Sequence, residues 1–143
     1  MGLKYDEYSC GIVLFRREKG LEEFLLLNYP GGHWDFPKGH VEEFDEHEHA
    51  TALRELHEET GIKDAQIING FSEGMSYKYM KSGNPSNKHV QYFLAKTNTE
   101  DIILSHEHKG FIWLSYEKAL SKLTFENARR ILREANAFMK ENL

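Results

Sequence analysis

The sequence has few cysteines, no long apolar run and no recognisable targeting segment, and each of these absences excludes a class of protein. Cys10 is the only cysteine among 143 residues, so no intramolecular disulfide can form. We expect Cys10 to be a small buried strand residue in a reducing compartment. No apolar run approaches the roughly 20 residues that a membrane-spanning helix needs. The polar segment 1–7 resembles neither a signal peptide nor a transit peptide. We therefore expect a cytoplasmic protein that is not bound to a membrane.

Repeats, low-complexity tracts and long linkers are also missing from the sequence. Hydrophobic residues make up 40% of the chain and aromatic residues 13%, which is typical of globular rather than disordered proteins. A chain of this length can bury enough surface to fold without disulfides. We expect a single domain over residues 1–143, and a monomer.

The negative charge of the chain is concentrated in one stretch. Between Glu42 and Glu59 there are eight acidic residues and one basic residue, Arg54, so this stretch carries −7 although the whole chain carries −5. Such a concentration of negative charge repels a polyanion unless cations occupy it. The pattern disfavours nucleic acid as a direct partner and favours a divalent metal.

Local patterns predict strands first, one helix in the middle, and helices at the end. Short apolar runs indicate strands at 9–15, 22–28, 65–79, 88–97 and 110–114. Helical periodicity indicates helices at about 46–60, 117–120 and 125–138, with irregular segments at 29–32, 35–39 and 82–87. Gly61 is expected to end the first helix, and Thr124 to cap the last one. This order predicts an α/β (α+β) protein with a mixed sheet and helices packed on it.

Three carboxylates share one face of the first predicted helix. At about 100° per residue, Glu58 and Glu59 lie about 60° and 40° on either side of Glu55. Like charges at these spacings destabilise the helix by about 0.2–0.5 kcal/mol per pair without a counterion. Mg²⁺ is a hard cation that binds oxygen ligands, so it would compensate this repulsion. The alternative is an acidic face that is only solvated, because glutamate forms helices well.

The residues around this helix resemble the Nudix box. Gly39 is followed by six residues, Glu46, seven residues, and then Arg-Glu-Leu-His-Glu-Glu-Thr-Gly-Ile at 54–62. The family pattern has the same residue types, with five rather than six residues between the glycine and the first glutamate. The resemblance implies a mixed sheet sandwiched between helices, with a catalytic loop–helix–loop.

The same resemblance implies roles for individual positions. The carboxylates of Glu55, Glu58 and Glu59 and the carbonyl of Gly39 are expected to bind Mg²⁺, for which Mn²⁺ is a possible substitute. One glutamate is also expected to activate the attacking water, and spacing does not say which. Arg54 is expected to pair with Glu46 and brace the loops.

Outside the box, the chain resembles the animal and archaeal type of asymmetric diadenosine tetraphosphate hydrolase within this family. The similar stretches include 10–17, 33–41 and 104–108. This group splits its substrate into ATP and AMP with Mg²⁺. The resemblance implies phosphate contacts from His33 and Lys38 and a further metal ligand or base at Glu107. It also implies adenine stacking on Tyr77 and Phe125, and Lys88 is a candidate point charge beside the phosphates.

Several alternatives remain open for these residues. Phe125 and Tyr77 could belong to the core, and Lys88 could be an ordinary surface residue. His106 and His108 are expected on one face of a strand beside Glu107, which suggests a zinc site, but no sequence partner completes it.

The function has alternatives as well. The same chemistry could act on RNA 5′ ends, oxidised nucleotides or nucleotide sugars. A sensor that binds a nucleotide without cleaving it, and a structural domain whose acidic helix is only solvated, are alternatives from other classes.

Overall fold

The computed structural model describes residues 5–143, which form a mixed sheet with helices on both faces. The strands are β1 Glu7–Glu18, β2 Leu21–Asn28, β3 Trp34–Asp35, β4 Lys38–His40, β5 Gln66–Lys81, β6 Asn84–Lys96 and β7 Gly110–Leu114. The helices are α1 Glu48–Thr60, α2 Tyr116–Lys122 and α3 Glu126–Asn142. The segment 1–7 that the sequence marked as polar lies partly outside the described residues. Within residues 5–143, no helix is long and apolar enough to cross a membrane.

The order along the main path of the sheet is β3-β2-β1-β6-β5, with β4 also paired to β1 and β7 to β2. The long central strands β1 and β6 run parallel, and the other pairs are antiparallel. The expected mixed sheet is therefore confirmed.

The central strand β1 is buried on both faces, which explains its unbroken apolar run. Val13 and Phe15 face α2 and α3, while Ile12 and Leu14 face α1. A strand covered on both sides has no solvated face that would require alternating polar residues. Cys10 is fully buried in this strand as expected, and burial raises the pKa of its thiol to about 12.

Three local predictions differ from the structure. The loop expected at 82–87 is a tight turn, because Ser82 and Gly83 both have positive φ (52° and 83°) and connect β5 directly to β6. Part of the segment expected to be irregular at 35–39 forms the short strands β3 and β4. Thr124 does not cap α3, because its hydroxyl accepts a hydrogen bond from the backbone N–H of Trp34 (2.8 Å) and Phe125 occupies the cap position.

Helix α1 begins two residues later than the pattern predicted and ends where it predicted. His47 caps its start, with Nδ1 accepting a hydrogen bond from the N–H of Ala50 (3.1 Å). Gly61 ends the helix with φ of 77° and donates its N–H to the carbonyl of His57 (2.8 Å). The glycine suits this position because a left-handed backbone costs it no side-chain clash.

Candidate functional site

A cleft of about 670 Å³ lies beside the exposed face of α1. Nine of the residues predicted to act in the site line it: His33, Lys38, Gly39, Glu55, Glu58, Glu59, Tyr77, Lys88 and Glu107. They come from β4, α1, the β5–β6 hairpin and two loops, so the fold brings together positions that are far apart in sequence. Phe125 lies outside this cleft.

Glycine at position 39 lets α1 approach β4 closely. Gly39 pairs with Cys10 across β1 and β4, and the carboxylate of Glu55 lies directly over its backbone. A Cβ at position 39 would lie 2.0 Å from Cδ of Glu55, which no packed structure tolerates. The absence of a side chain therefore allows a carboxylate and a backbone carbonyl to share one end of the cleft.

The three helix carboxylates have different environments. Glu58 is exposed, Glu55 is partly buried, and Glu59 is buried with its Oε1 lacking a hydrogen-bond partner among residues 5–143. Burial, with the negative charge of Glu55 beside it, raises the pKa of Glu59 to about 8. Burial also raises the pKa of Glu55. Buried carboxylates of this kind need a nearby cation if they are to ionise at neutral pH.

The prediction that Arg54 pairs with Glu46 is wrong, and Asp45 is the partner. The guanidinium donates to both carboxylate oxygens of Asp45 (2.9 and 3.0 Å) and to the carbonyl of His40 (3.0 Å). The bond to Arg54 holds the pKa of the Asp45 carboxyl well below its usual range. Glu46 is exposed and takes no part in this network.

This pairing changes where the box departs from the family pattern. Five residues separate Gly39 from Asp45, which is the family spacing. The additional residue therefore lies between Asp45 and Arg54, where the chain enters α1. Asp45 also accepts bonds from the N–H of Glu42 and the hydroxyl of Thr51, both at 2.8 Å. One carboxylate thus ties together the loop before the helix and its first turns.

Basic and aromatic groups line the same cleft as the carboxylates. The ammonium of Lys38 pairs with buried Asp35 (2.9 Å) and lies 4.4 Å from the ring centroid of Tyr29. His33 stacks on the same tyrosine, with ring centroids 4.8 Å apart. Burial, followed by the charge of Lys38, lowers the pKa of both His33 and Lys88.

Sequence reasoning missed Asp35 and Tyr29. An acid three residues before Lys38 is a visible signal for Asp35. Tyr29 had no such signal, because its partners come from separate loops and from β4.

The segment around Glu107 is a turn and not the predicted strand. His106 and Glu107 are exposed there, whereas His108 is buried, so the two histidines do not share a face. Ligand atoms of Glu59, Glu107 and His108 lie within 4.8 Å of one another. The turn therefore adds an imidazole to the carboxylate cluster.

A second cavity of about 400 Å³ adjoins the cleft, and His33, Lys38 and Tyr77 line both. Phe125 lines only this second cavity, with its ring 5.4 Å from that of His33. Phe125 is 49% exposed, so the alternative that it belongs to the core is wrong. Tyr77 packs partly against the core and contacts Tyr79 with ring centroids 6.0 Å apart.

Comparison with known proteins agrees with this geometry. The family model described as NUDIX domain matches residues 7–135. The chain belongs to the Nudix family. The Nudix box thus corresponds here to the segment from Gly39 to Ile62, in which α1 carries the three glutamates towards the cleft.

Curated Nudix relatives of similar length share much of this sequence. A protein of Caenorhabditis elegans named bis(5′-nucleosyl)-tetraphosphatase [asymmetrical] is 37% identical, over 92% of this chain and 95% of its own. The Rattus norvegicus protein of the same name is 38% identical, over 92% of this chain and 94% of its own. A solved structure described as a C. elegans Ap4A hydrolase binary complex has a TM-score of 0.82 at 36% identity, covering 94% of this chain and 98% of that chain.

Proposed function

We propose that this Nudix hydrolase cleaves diadenosine tetraphosphate asymmetrically into ATP and AMP, and that it requires a divalent metal. The observation that carries the proposal is the composition of one cleft, which is lined by four carboxylates, two lysines and four histidines. An aromatic-lined cavity adjoins that cleft. The names of the relatives at 37% and 38% identity support the choice of substrate.

The residues of the cleft fit a hard divalent cation. The Oε1 atom of buried Glu59 has no hydrogen-bond partner within residues 5–143, and the Glu55 carboxylate lies against the backbone of Gly39. We assign metal binding to Glu55, Glu58, Glu59, Glu107 and the carbonyl of Gly39. These oxygen donors suit Mg²⁺, and Mn²⁺ is able to use the same set. When bound, the metal supplies charge neutralisation on phosphate oxygens and lowers the pKa of water.

The remaining groups of the chain position the substrate. Lys38 and Lys88 provide positive charge for non-bridging phosphate oxygens, and His33 donates a hydrogen bond beside them. Tyr77 and Phe125 stack on adenine in the second cavity, which contributes about 1–3 kcal/mol per base.

The cleavage itself needs one proton acceptor. The oxygen of a water molecule forms a bond to a phosphorus atom, the bridging P–O bond breaks, and a nearby carboxylate accepts the proton of the water. The candidates are the carboxylates in the cleft, namely Glu55, Glu58, Glu59 and Glu107. We also propose that the whole chain acts as one domain on a small nucleotide, since the acidic stretch repels longer polyanions.

The test is incubation with diadenosine tetraphosphate and Mg²⁺, with and without chelator, followed by ion-exchange separation of products. We expect equal amounts of ATP and AMP, and no cleavage in chelator. Replacing Glu59 by Gln should lower turnover by about 10³-fold or more without loss of fold, whereas the exposed control Glu46→Gln should retain full turnover. Two ADP molecules, or cleavage of other nucleotides only, would contradict the substrate assignment.

A further inference from the structure

A buried imidazole faces the carboxylate cluster of the cleft. His108 Nε2 lies 3.4 Å from Oε2 of Glu59, and the two side chains are only 2% and 8% exposed. The contact falls within ion-pair range but lacks hydrogen-bond geometry, since neither ring nitrogen of His108 has a hydrogen-bond partner among residues 5–143. A buried polar nitrogen without a hydrogen-bond partner is unfavourable, so this position calls for a ligand.

Several contacts hold this imidazole in place. The backbone N–H of Ser105 donates to the carbonyl of Glu59 (3.0 Å), which fixes the turn to the end of α1. The N–H of His108 then donates to the carbonyl of Ser105 (3.2 Å). The ring lies edge-on to Tyr29, with centroids 4.5 Å apart and planes at 87°. These contacts aim the ring at Glu59 without using either of its nitrogens.

We infer that Nε2 of His108 is a metal ligand, together with Glu59 and Glu107, and that it makes this position select a first-row transition ion over Mg²⁺. One ligand atom of each residue lies within 4.8 Å of the others, so small side-chain movements bring all three to a common ion. Imidazole nitrogen binds Mn²⁺, Co²⁺ and Zn²⁺ better than it binds Mg²⁺, which prefers oxygen ligands.

This inference deepens the proposed function by adding a nitrogen donor to the metal site, and it does not depend on the substrate. The other ligands proposed for the cleft all supply oxygen. A single imidazole changes the preference of the site because it adds affinity for transition ions and little for Mg²⁺. His106 serves as the matched control, since it lies two residues away, is exposed and lines the same cleft.

The experiment measures metal binding without any substrate. Mn²⁺ is titrated into the full-length protein, and pulsed electron paramagnetic resonance records coupling of the bound ion to nitrogen. We expect coupling to ¹⁴N in the wild type that changes to ¹⁵N coupling after labelling of histidine with ¹⁵N. In His108→Phe, which keeps a ring against Tyr29, we expect the coupling to disappear. The Kd for Mn²⁺ should rise about tenfold or more while the Kd for Mg²⁺ changes less than threefold.

The control variant His106→Asn should behave as the wild type does. Bound Mn²⁺ without nitrogen coupling in the wild type would overturn the inference, as would loss of the coupling in His106→Asn. Equal losses of Mn²⁺ and Mg²⁺ affinity in His108→Phe would also overturn it. If that variant does not fold, the ¹⁵N-histidine spectra of the wild type decide alone. Hydrolysis with Mg²⁺ is assayed separately, so failure of one conclusion leaves the other standing.

Discussion

At the scale of single residues, one sequence pattern produces three chemically different carboxylates. Glu58 is exposed and contacts Arg54 (3.2 Å), Glu55 lies over Gly39, and Glu59 is buried. Helical spacing predicts that all three lie on one face, but it does not say how deeply each is buried. The depth decides which carboxylate resists ionisation, and burial therefore distinguishes Glu59 from its neighbours.

Tyr29 organises the basic side of the cleft through its ring. The ring contacts Lys38 on β4, His33 in the preceding loop and His108 in the later turn. Its hydroxyl donates to the carbonyl of Phe36 (2.5 Å), which fixes the ring relative to the strand that follows. A single aromatic side chain thus sets the positions of three cleft residues that are not neighbours in sequence.

We predict that Tyr29→Leu raises the KM for diadenosine tetraphosphate by roughly tenfold, because it removes a cation–π contact and a stacking surface. Tyr29→Phe is the matched control, since it keeps the ring and loses only the hydroxyl, and its KM should stay within about threefold of the wild type. Steady-state kinetics with saturating metal measure both. Equal KM values for the leucine variant and the wild type would show that the ring does not position these groups.

At the scale of elements, the Asp45–Arg54 pair connects the loop before α1 to the helix itself. Arg54 also bonds the carboxylate of Glu55 (3.0 Å), so the brace continues into the proposed metal ligands. Partners of this kind orient ligands without touching the metal, and their loss typically costs about 10–100-fold in activity or metal affinity.

We therefore predict that Asp45→Asn lowers turnover and Mg²⁺ affinity by about tenfold or more. Asparagine has nearly the same shape but no charge, so Arg54 loses its ionic contact with the loop before α1 and that loop loosens. The neighbouring exposed acid provides the control, and Glu46→Gln should leave both quantities unchanged. Turnover and isothermal titration with Mg²⁺ provide the comparison. The reverse order of effects would restore Glu46 as the partner of Arg54.

The contrast between these two acids shows how far sequence reasoning reaches. The faces and end of α1 were predicted well, because helical periodicity and the stop at Gly61 are local properties. The sequence did not predict which of Asp45 and Glu46 pairs with Arg54. Both are acids close to the spacing of the family pattern, and only the path of the loop decides between them. His106 and His108 were expected on one face of a strand, whereas the turn that they occupy depends on backbone bonds to α1 such as that from Ser105 to Glu59.

The same limit applies to the candidate site. The spacing of the Nudix box predicted a metal site formed by Gly39 and the glutamates of α1. The family resemblance added His33, Lys38 and Glu107 to the predicted site. The buried contacts of Tyr29 and His108 depend on packing between separate segments, and no local pattern encodes such packing. Their geometry becomes visible only in the folded chain.

At the scale of the whole molecule, α1 serves both packing and binding. Its buried face, with Ala52 and Leu56, packs against the sheet beside Ile12 and Leu14. Burying a leucine side chain contributes about 1.5–3 kcal/mol, which exceeds the cost of one like-charge helical pair. The sheet therefore keeps the helix folded although its opposite face collects carboxylates that repel one another. We therefore expect metal binding and global stability to be coupled, because a bound cation removes that repulsion.

This coupling predicts how the stability of the metal-free protein depends on pH. Glu59 has a pKa of about 8 in the folded protein because of its burial, compared with 4.5 as the ordinary value. Its ionisation therefore costs free energy only in the folded state. The contribution of Glu59 to the free energy of unfolding is constant below about pH 4.5. It then falls as the pH rises towards 8, by at most about 1.4 kcal/mol per pH unit. The raised pKa of Glu55 acts in the same direction.

Urea unfolding in chelator at pH 5, 6.5 and 8 measures this decline. Glu59→Gln cannot ionise, so its decline should be much smaller, and the difference from the wild type isolates the contribution of this carboxylate. Mg²⁺ should restore stability of the wild type strongly at pH 8 and weakly at pH 5, because only the ionised carboxylate binds the cation. The opposite result is a wild type that, in chelator, loses no more stability between pH 5 and 8 than Glu59→Gln does. That result would mean that the buried carboxylate already has a compensating partner in the protein. In that case the acidic face of α1 would not need a metal to remain folded.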